Sequence, residues 1–179
     1  RLTHETAVDK GLACHSAIPY LPDLIEAAVR TERRKLAEEA LQHLKLATKP
    51  GYLRTAGALE RCSGLLADDH NDAVAHFRAA IGWEVAASAP FERARSQLLL
   101  GERLRRMRRR TEAKEALLGA FGTFDALGAV PWATRAGNGL GALGIRPRPG
   151  TAARSAELTP QEVQVSRGVA RGLSNREIA

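Results

Sequence analysis

The stretch FERARSQLLLGERLRRMRRRTEAKEALLGAFGTFDALG (residues 91–128) contains two segments with helical periodicity that meet at a run of arginines. In the second segment Ala113, Leu117 and Ala120 are separated by four and then three residues, which places them on one face of a helix. The small residues let a neighbouring helix approach closely, and the larger one fills the space between helix pairs. The stretch therefore predicts a helical hairpin.

The same spacing of small and large apolar residues recurs twice upstream. The first members of the three triplets lie 36 and then 40 residues apart, a period typical of stacked helical hairpins. The upstream triplets are Ala37, Leu41 and Leu44, and Ala73, Phe77 and Ala80. In the last unit Leu100, Gly101 and Leu104 precede Ala113 by the offsets of a tetratricopeptide unit. We predict a tetratricopeptide-like stack, with ordinary helix packing and chance spacing as the alternative.

Other helical segments extend this pattern through most of the chain, and the fold class is predicted to be all-α. The helical repeat region is placed at residues 1–143 and a linker rich in Pro, Gly, Ser and charge at 144–157. Within the repeat region, GNGLGALG (137–144) is so rich in glycine that its helix is expected to be frayed. Further helices are predicted at 22–48 (one or two), 52–67, 72–87 and 131–143. A stack of this kind offers a concave surface for a peptide, a protein or a small effector.

The charge of the chain favours an anionic partner. The net charge is +7 and the isoelectric point about 10.1, which points first to nucleic acid, although an Arg-rich composition without a ligand explains it equally well. The arginine run at 103–110 is interpreted mainly as a solvated face, with contact to DNA phosphates or to an acidic partner as the alternative. No stretch reaches the about 18 apolar residues of a membrane span, so no membrane partner is expected.

No residue cluster in the sequence supports an enzyme, a metal site or a cofactor. Cys14 and Cys62 are too few for a zinc site or a disulfide framework and indicate reduced thiols in a cytoplasmic protein. His70 and His76 stand near three aspartates, but such residues at a loop–helix boundary are more often caps than metal ligands. The glycines of 139–144 match a dinucleotide fingerprint as letters, without the strand and helix that it requires.

Two helix starts of the same design stand at the end of the chain. In the first, Thr159 is the N-cap, Pro160 occupies the first helical position and Glu162 completes a capping box. Fifteen residues later the segment 174–177, Ser-Asn-Arg-Glu, repeats the box after a glycine that ends the first helix. The pattern predicts two short helices joined by a sharp turn, with free N–H groups suited to phosphate oxygens.

The segment LTPQEVQVSRGVARGLSNREIA (158–179) resembles the start of the LuxR-type helix-turn-helix. That family opens with Leu-Thr-Pro-x-Glu and continues, after an apolar helix, with Gly-Leu-Ser/Thr-Asn-x-Glu-Ile-Ala. The upstream FDALGAVPWATRAG is similar to the end of the helical repeats in large ATP-binding LuxR-family regulators. The resemblance implies a transcriptional regulator that binds promoter DNA, with Thr159, Ser174, Asn175 and Arg176 as candidate phosphate contacts.

The resemblance also implies that residues 158–179 form only part of the DNA-binding domain, because the family's base-reading third helix would follow Ala179. We therefore expect a fragment of a longer regulator in which the repeats receive a protein or small-molecule effector. The family's ATPase domain is not expected here, since no Gly-x-x-x-x-Gly-Lys-Ser/Thr motif occurs. The alternative is a stand-alone helical-repeat interaction module with a vestigial tail. The oligomeric state is left open, and a homo-oligomer is one option.

Overall fold

The computed structural model describes residues 20–147, and within this range the chain is all-helical, as predicted. Seven helices follow one another without a strand in the described residues. They are α1 (Leu21–Arg30), α2 (Arg34–Ala47), α3 (Leu53–Leu66), α4 (His70–Ala86), α5 (Pro90–Arg106), α6 (Arg110–Ala126) and α7 (Val130–Gly141). The partial helix-turn-helix at 158–179 and most of the linker at 144–157 lie outside the described residues.

Each helix packs on the next one along the chain, and α1, α3, α5 and α7 also contact one another in sequence. The most extensive contacts join α3 to α4 and α5 to α6. All nine residues of the three predicted triplets are buried, and they lie on α2, α4 and α6. The spacing therefore identified the buried faces of every second helix, while the tetratricopeptide comparison stays a prediction.

Glycines on the first helix of a pair face the large member of a triplet on the second. A Cβ atom built on Gly101 would lie 2.6 Å from Cγ of Leu117, and one on Gly64 would lie 2.8 Å from Cε1 of Phe77. The missing side chains allow α5 to approach α6 and α3 to approach α4. Gly64 and Gly101 thus permit the close approach of the paired helices.

The helices α4 to α7 are joined by turns of one design. In each turn the second of three linking residues adopts a positive φ: 50° at Ser88, 61° at Arg108 and 66° at Gly128. After it, a backbone N–H bonds back to the carbonyl five residues earlier, as from Arg109 to Leu104 at 3.0 Å. This is the Schellman closure of a helix C-terminus. The turn between α1 and α2 repeats it, with a φ of 59° at Glu32.

The buried apolar residues form two clusters that meet around α3 and α4. The first cluster unites α1, α2 and α3 around Ile25, Leu44 and Cys62. The second unites α4, α5, α6 and α7 around Phe77, Leu117 and Phe124. Leu65 on α3 packs against both. None of the helices in residues 20–147 has the length and apolar character needed to cross a bilayer.

Two segments are better defined in the structure than in the sequence predictions, which allowed one or two helices at 22–48. The segment 22–48 forms two helices, because Glu32 adopts a positive φ although neither Gly nor Pro marks the turn. The glycine-rich segment 137–144 is helical to Gly141, and the fraying of its helix stays a prediction. Among its glycines Gly139 makes a close packing contact: a Cβ there would lie 3.1 Å from Cδ2 of Leu117, so its absence lets α7 approach α6.

Candidate ligand-binding site

The described residues hold a polar constellation that the sequence did not single out. The four predicted phosphate contacts, Thr159, Ser174, Asn175 and Arg176, lie outside the described residues, so their assignment stays a prediction. The constellation lies instead on α1, α5 and α7. It consists of ion pairs between these helices and of a groove lined by arginines.

The carboxylate of Glu26 on α1 is the centre of the ion pairs. It accepts hydrogen bonds from Arg30 at 2.7 Å, from Arg95 at 2.9 Å and from Arg135 at 3.0 Å. The side chain of Glu26 is only 8% exposed. One buried carboxylate thus joins guanidinium groups from three helices, and it connects the first described helix to the last.

Arg95 on α5 is the most buried of these three arginines. It also donates to Asp23 at 2.7 Å, and its guanidinium lies 5.0 Å from the ring centre of Trp132. Burial alone would lower the pKa of Arg95, but the hydrogen bonds to Glu26 and Asp23 and the charge of Glu92 outweigh burial, so the pKa is raised. The group stays charged at any physiological pH and fixes α1 against α5.

Arg135 on α7 makes a two-pronged contact with Glu102 on α5. Its Nε and one terminal nitrogen each donate to a carboxylate oxygen of Glu102 at 2.8 Å. This bidentate geometry is the strongest arrangement open to an arginine and a carboxylate. Burial raises the pKa of Glu102, and nearby arginines oppose that rise. The contact fixes α7 against α5 beside the Glu26 centre.

A second buried charge pair joins α3 to α4. The guanidinium of Arg61 donates to Glu84 and also pairs with Glu92 on α5, and the hydroxyl of Ser96 donates to Glu84 at 3.0 Å. Arg61 and Glu84 are 2% and 1% exposed. Burial raises the pKa of Glu84, while the charge of Arg61 opposes it. This pair lies where the two apolar clusters meet.

An open groove of about 410 Å³ lies next to the Glu26 centre, and we call it the arginine groove. Its polar lining is Arg30, Glu102, Arg103, Arg106 and Arg135. Its apolar lining is Val29, Leu65, Phe77 and Leu99. The size suits a small molecule, and four guanidinium groups against one carboxylate make the lining strongly positive. The groove can therefore receive an anion with an apolar body.

Two of the groove arginines have no carboxylate partner among residues 20–147, in contrast to Arg30 and Arg135. Arg103 donates to Nδ1 of His70 at 2.9 Å and approaches the carbonyl of Gly64 at 3.5 Å. Arg106, one turn further along α5, is exposed and forms no hydrogen bond or ion pair within the described residues, although its charge acts on the nearby Glu102 carboxylate. Burial and the neighbouring charge of Arg106 lower the pKa of Arg103. The groove thus contains two uncompensated positive charges.

The arginine run at 103–110 is only partly the solvated face that the sequence favoured. Arg109 donates to both carboxylate oxygens of Glu112 at 2.7 Å, and Arg110 donates to the carbonyl of Leu143 at 3.0 Å. Arg103 is half-buried in the groove. The prediction of a solvated face holds for the exposed Arg105, Arg106, Arg108 and Arg110. It is wrong for the partly buried Arg103 and Arg109, whose side chains contact α4 and α6.

The histidines near the aspartate cluster have contacts of their own. Asp69 caps α4 and accepts hydrogen bonds from the N–H groups of Asn71 and Asp72 at 2.7 and 3.0 Å, as expected for a cap. Nδ1 of His76 lies 2.7 Å from Glu60. Within residues 20–147 no group of three or more His, Cys, Asp or Glu side chains is arranged to hold a metal ion.

Sequence reasoning missed most of the groove. Glu102 and Arg135 carry no local signal, because they pair across 33 positions and Arg135 also reaches Glu26 across 109. Only the spacing of four between Glu26 and Arg30 could have been read as a local helix pair. Only the arginine run drew attention to Arg103 and Arg106. Searches of protein-family models, of curated proteins and of solved structures find no match to this chain.

Proposed function

We propose that the chain acts in DNA-binding transcriptional regulation of the LuxR type, with helical repeats that receive an effector. The observation that carries the proposal is the sequence of residues 158–179, where two capping boxes frame a Gly-Leu turn in the family's order. The net charge of +7 is compatible with binding to a polyanion. No chemistry on a substrate is required of the chain.

The helical region supplies a place where an effector could act. The Glu26 centre connects α1, α5 and α7 through ion pairs, and the arginine groove lies beside it. A ligand that binds one arrangement of these helices better than another shifts the population toward that arrangement. In a regulator, this shift would change how the DNA-binding segment is presented.

The test is selection of duplex DNA from a random library by the natural protein purified from its source cells. We expect enrichment of a defined sequence. An Asn175→Ala, Arg176→Ala variant should bind less tightly, and its affinity should fall less steeply with salt, by about one phosphate contact. Arg108→Ala, which removes one charge from an exposed turn, is the matched control and should leave the selected sequence unchanged. Failure to enrich any sequence would refute the proposal.

The 179-residue chain itself is expected to bind duplex DNA only weakly and without sequence preference. This expectation rests on the net charge of +7, which attracts a polyanion without distinguishing one base sequence from another. Fluorescence anisotropy with unrelated duplexes should give equal affinities that fall steeply with salt. Tight sequence-specific binding by this chain at physiological salt would contradict that expectation.

A stand-alone interaction module is the second candidate, and the arginine groove favours it. The groove needs no DNA to explain it and could receive an acidic partner by itself. Under this alternative, the random-library selection enriches nothing, while binding to the groove persists. The two candidates are thus separated by the same selection experiment.

A further inference from the structure

The arginine groove combines features that narrow the chemistry of its ligand. Arg30 and Arg135 are neutralised by Glu26 and Glu102, at 2.7 and 2.8 Å. Arg103 and Arg106 are not paired with any carboxylate in the described part of the chain. The charge left uncompensated in the groove is therefore two, and both charges project from one face of α5 because the residues are three positions apart.

The position of these two arginines matters as much as their charge. Arg103 and Arg106 belong to the last turn of α5, where the helix dipole favours cations. That effect accounts for exposed arginines at a helix end. It does not account for the partial burial of Arg103 beside Leu65, Phe77 and Leu99, because a buried charge without a counter-ion is unfavourable.

We propose that the arginine groove binds a small organic phosphate monoester, with its phosphate between Arg103 and Arg106 and its apolar body against the partly exposed Val29 and Leu65. A phosphate monoester carries about two negative charges on one compact centre at neutral pH, which matches the two uncompensated guanidinium groups. Arginine presents parallel N–H donors that fit phosphate oxygens in pairs. A monocarboxylate would neutralise only one of the two cations.

The binding of such a ligand rests on the groove alone. Its role as the effector of the regulator rests on the proposed function. Because the test below contains no DNA, its failure would leave the DNA selection unaffected, and failure of the selection would leave phosphate binding unaffected.

The test is titration of the 179-residue chain with phenyl phosphate by calorimetry and by thermal unfolding. We expect saturable binding, one site per chain and a rise in Tm with ligand concentration. Benzoate should bind more weakly and benzyl alcohol should not bind, because they carry one charge and none. The proposal would be overturned if phenyl phosphate showed no saturable binding up to about 10 mM, because a dissociation constant above that value is too weak for a specific site.

Variants that remove one arginine test whether phenyl phosphate binding depends on the groove or only on the positive charge of the chain. Arg103→Gln and Arg106→Gln should each weaken phenyl phosphate binding about tenfold to a hundredfold, as expected for a lost charged hydrogen bond. Arg105→Gln is the matched control, since Arg105 is exposed on the same helix but does not line the groove. Circular dichroism should show all three variants folded. An equal loss of binding in Arg105→Gln would overturn the proposal.

Discussion

Single residues with a positive φ stand in the turns between helices, and three of the five such residues between α1 and α7 are not glycine. Ser88 and Arg108 hold φ values of 50° and 61°, a region that costs an L-residue roughly 1 kcal/mol or more. We expect Ser88→Gly and Arg108→Gly each to raise the free energy of unfolding by about 0.5–1 kcal/mol, after the larger unfolded-state entropy of glycine is included. Chemical denaturation measures the change.

Gly128 offers the reverse experiment at the equivalent position of the next turn, where φ is 66°. Gly128→Ala should lower the free energy of unfolding by about 1 kcal/mol, because alanine must adopt the same strained φ. If Ser88→Gly and Arg108→Gly both destabilised the protein while Gly128→Ala was neutral, the turns would not be closed by the backbone conformation described here.

Cys62 is fully buried, and burial raises the pKa of its thiol to about 12. The thiolate is the reactive form, so we expect Cys62 to resist modification near neutral pH until the protein unfolds. In a Cys14→Ser variant, labelling by a disulfide reagent at about pH 8 should follow the unfolding rate. Rapid labelling of Cys62 without denaturant would show that the α1–α3 cluster is open to solvent.

At the scale of the helix pair, Gly101 controls the distance between α5 and α6. Its missing Cβ would lie 2.6 Å from Leu117 and 3.3 Å from the carbonyl oxygen of Ala113. Gly101→Ala should therefore lower the free energy of unfolding by about 1–3 kcal/mol through overpacking. Urea denaturation followed by circular dichroism measures the effect.

Gly122 is the matched control, because it lies inside α6 as Gly101 lies inside α5, and a Cβ there would meet nothing within 4 Å. Gly122→Ala should raise the free energy of unfolding by up to about 1 kcal/mol, since alanine favours the helix. Opposite signs for the two Gly→Ala changes are expected. Stabilisation by both changes would mean that α5 and α6 do not pack as closely as described.

At the scale of the whole molecule, the buried Arg61–Glu84 pair joins the two apolar clusters. Arg61→Met leaves Glu84 buried with Ser96 as its remaining hydrogen-bond donor, so we expect the free energy of unfolding to fall by about 3–5 kcal/mol near neutral pH. The double variant Arg61→Met, Glu84→Gln should recover part of this loss, because no charge is then left without a partner.

The loss of unfolding free energy in Arg61→Met is expected to depend on pH. Burial already raises the pKa of Glu84 above its ordinary value of 4.5, and removal of Arg61 raises it further. A carboxyl whose folded-state pKa is raised binds more protons in the folded state, so its contribution to stability is lost as pH rises above 4.5. The deficit of Arg61→Met relative to the wild type should grow between about pH 5 and pH 8. An equal deficit at both pH values would indicate that Glu84 is not buried.

The closure of the helical stack is also a property of the whole molecule. The Glu26–Arg135 contact joins residues 109 positions apart, and Arg95 joins α5 to α1 across 69 positions. These ion pairs bring the first and last described helices to the same groove. The site therefore depends on the packing of α1, α5 and α7 together rather than on any one pair of consecutive helices.

The all-α fold and most helix bounds could be predicted from the sequence, because they depend on local features. The Ala73, Phe77 and Ala80 spacing identified a buried face, and Asp69 caps α4 as its position suggested. The sequence left open whether 22–48 is one helix or two, since neither Gly nor Pro stands at Glu32, where the structure places the turn.

The sequence by itself determined where helices form and which faces they bury, since helix propensity, caps and apolar periodicity act over a few neighbouring residues. Only the tertiary structure decided which charges meet. Glu26, Arg95 and Arg135 form one centre, and Arg103 and Arg106 keep uncompensated charges in the groove, because the angle and distance between packed helices determine which distant side chains come within hydrogen-bond reach. No local pattern in the sequence encodes those angles and distances.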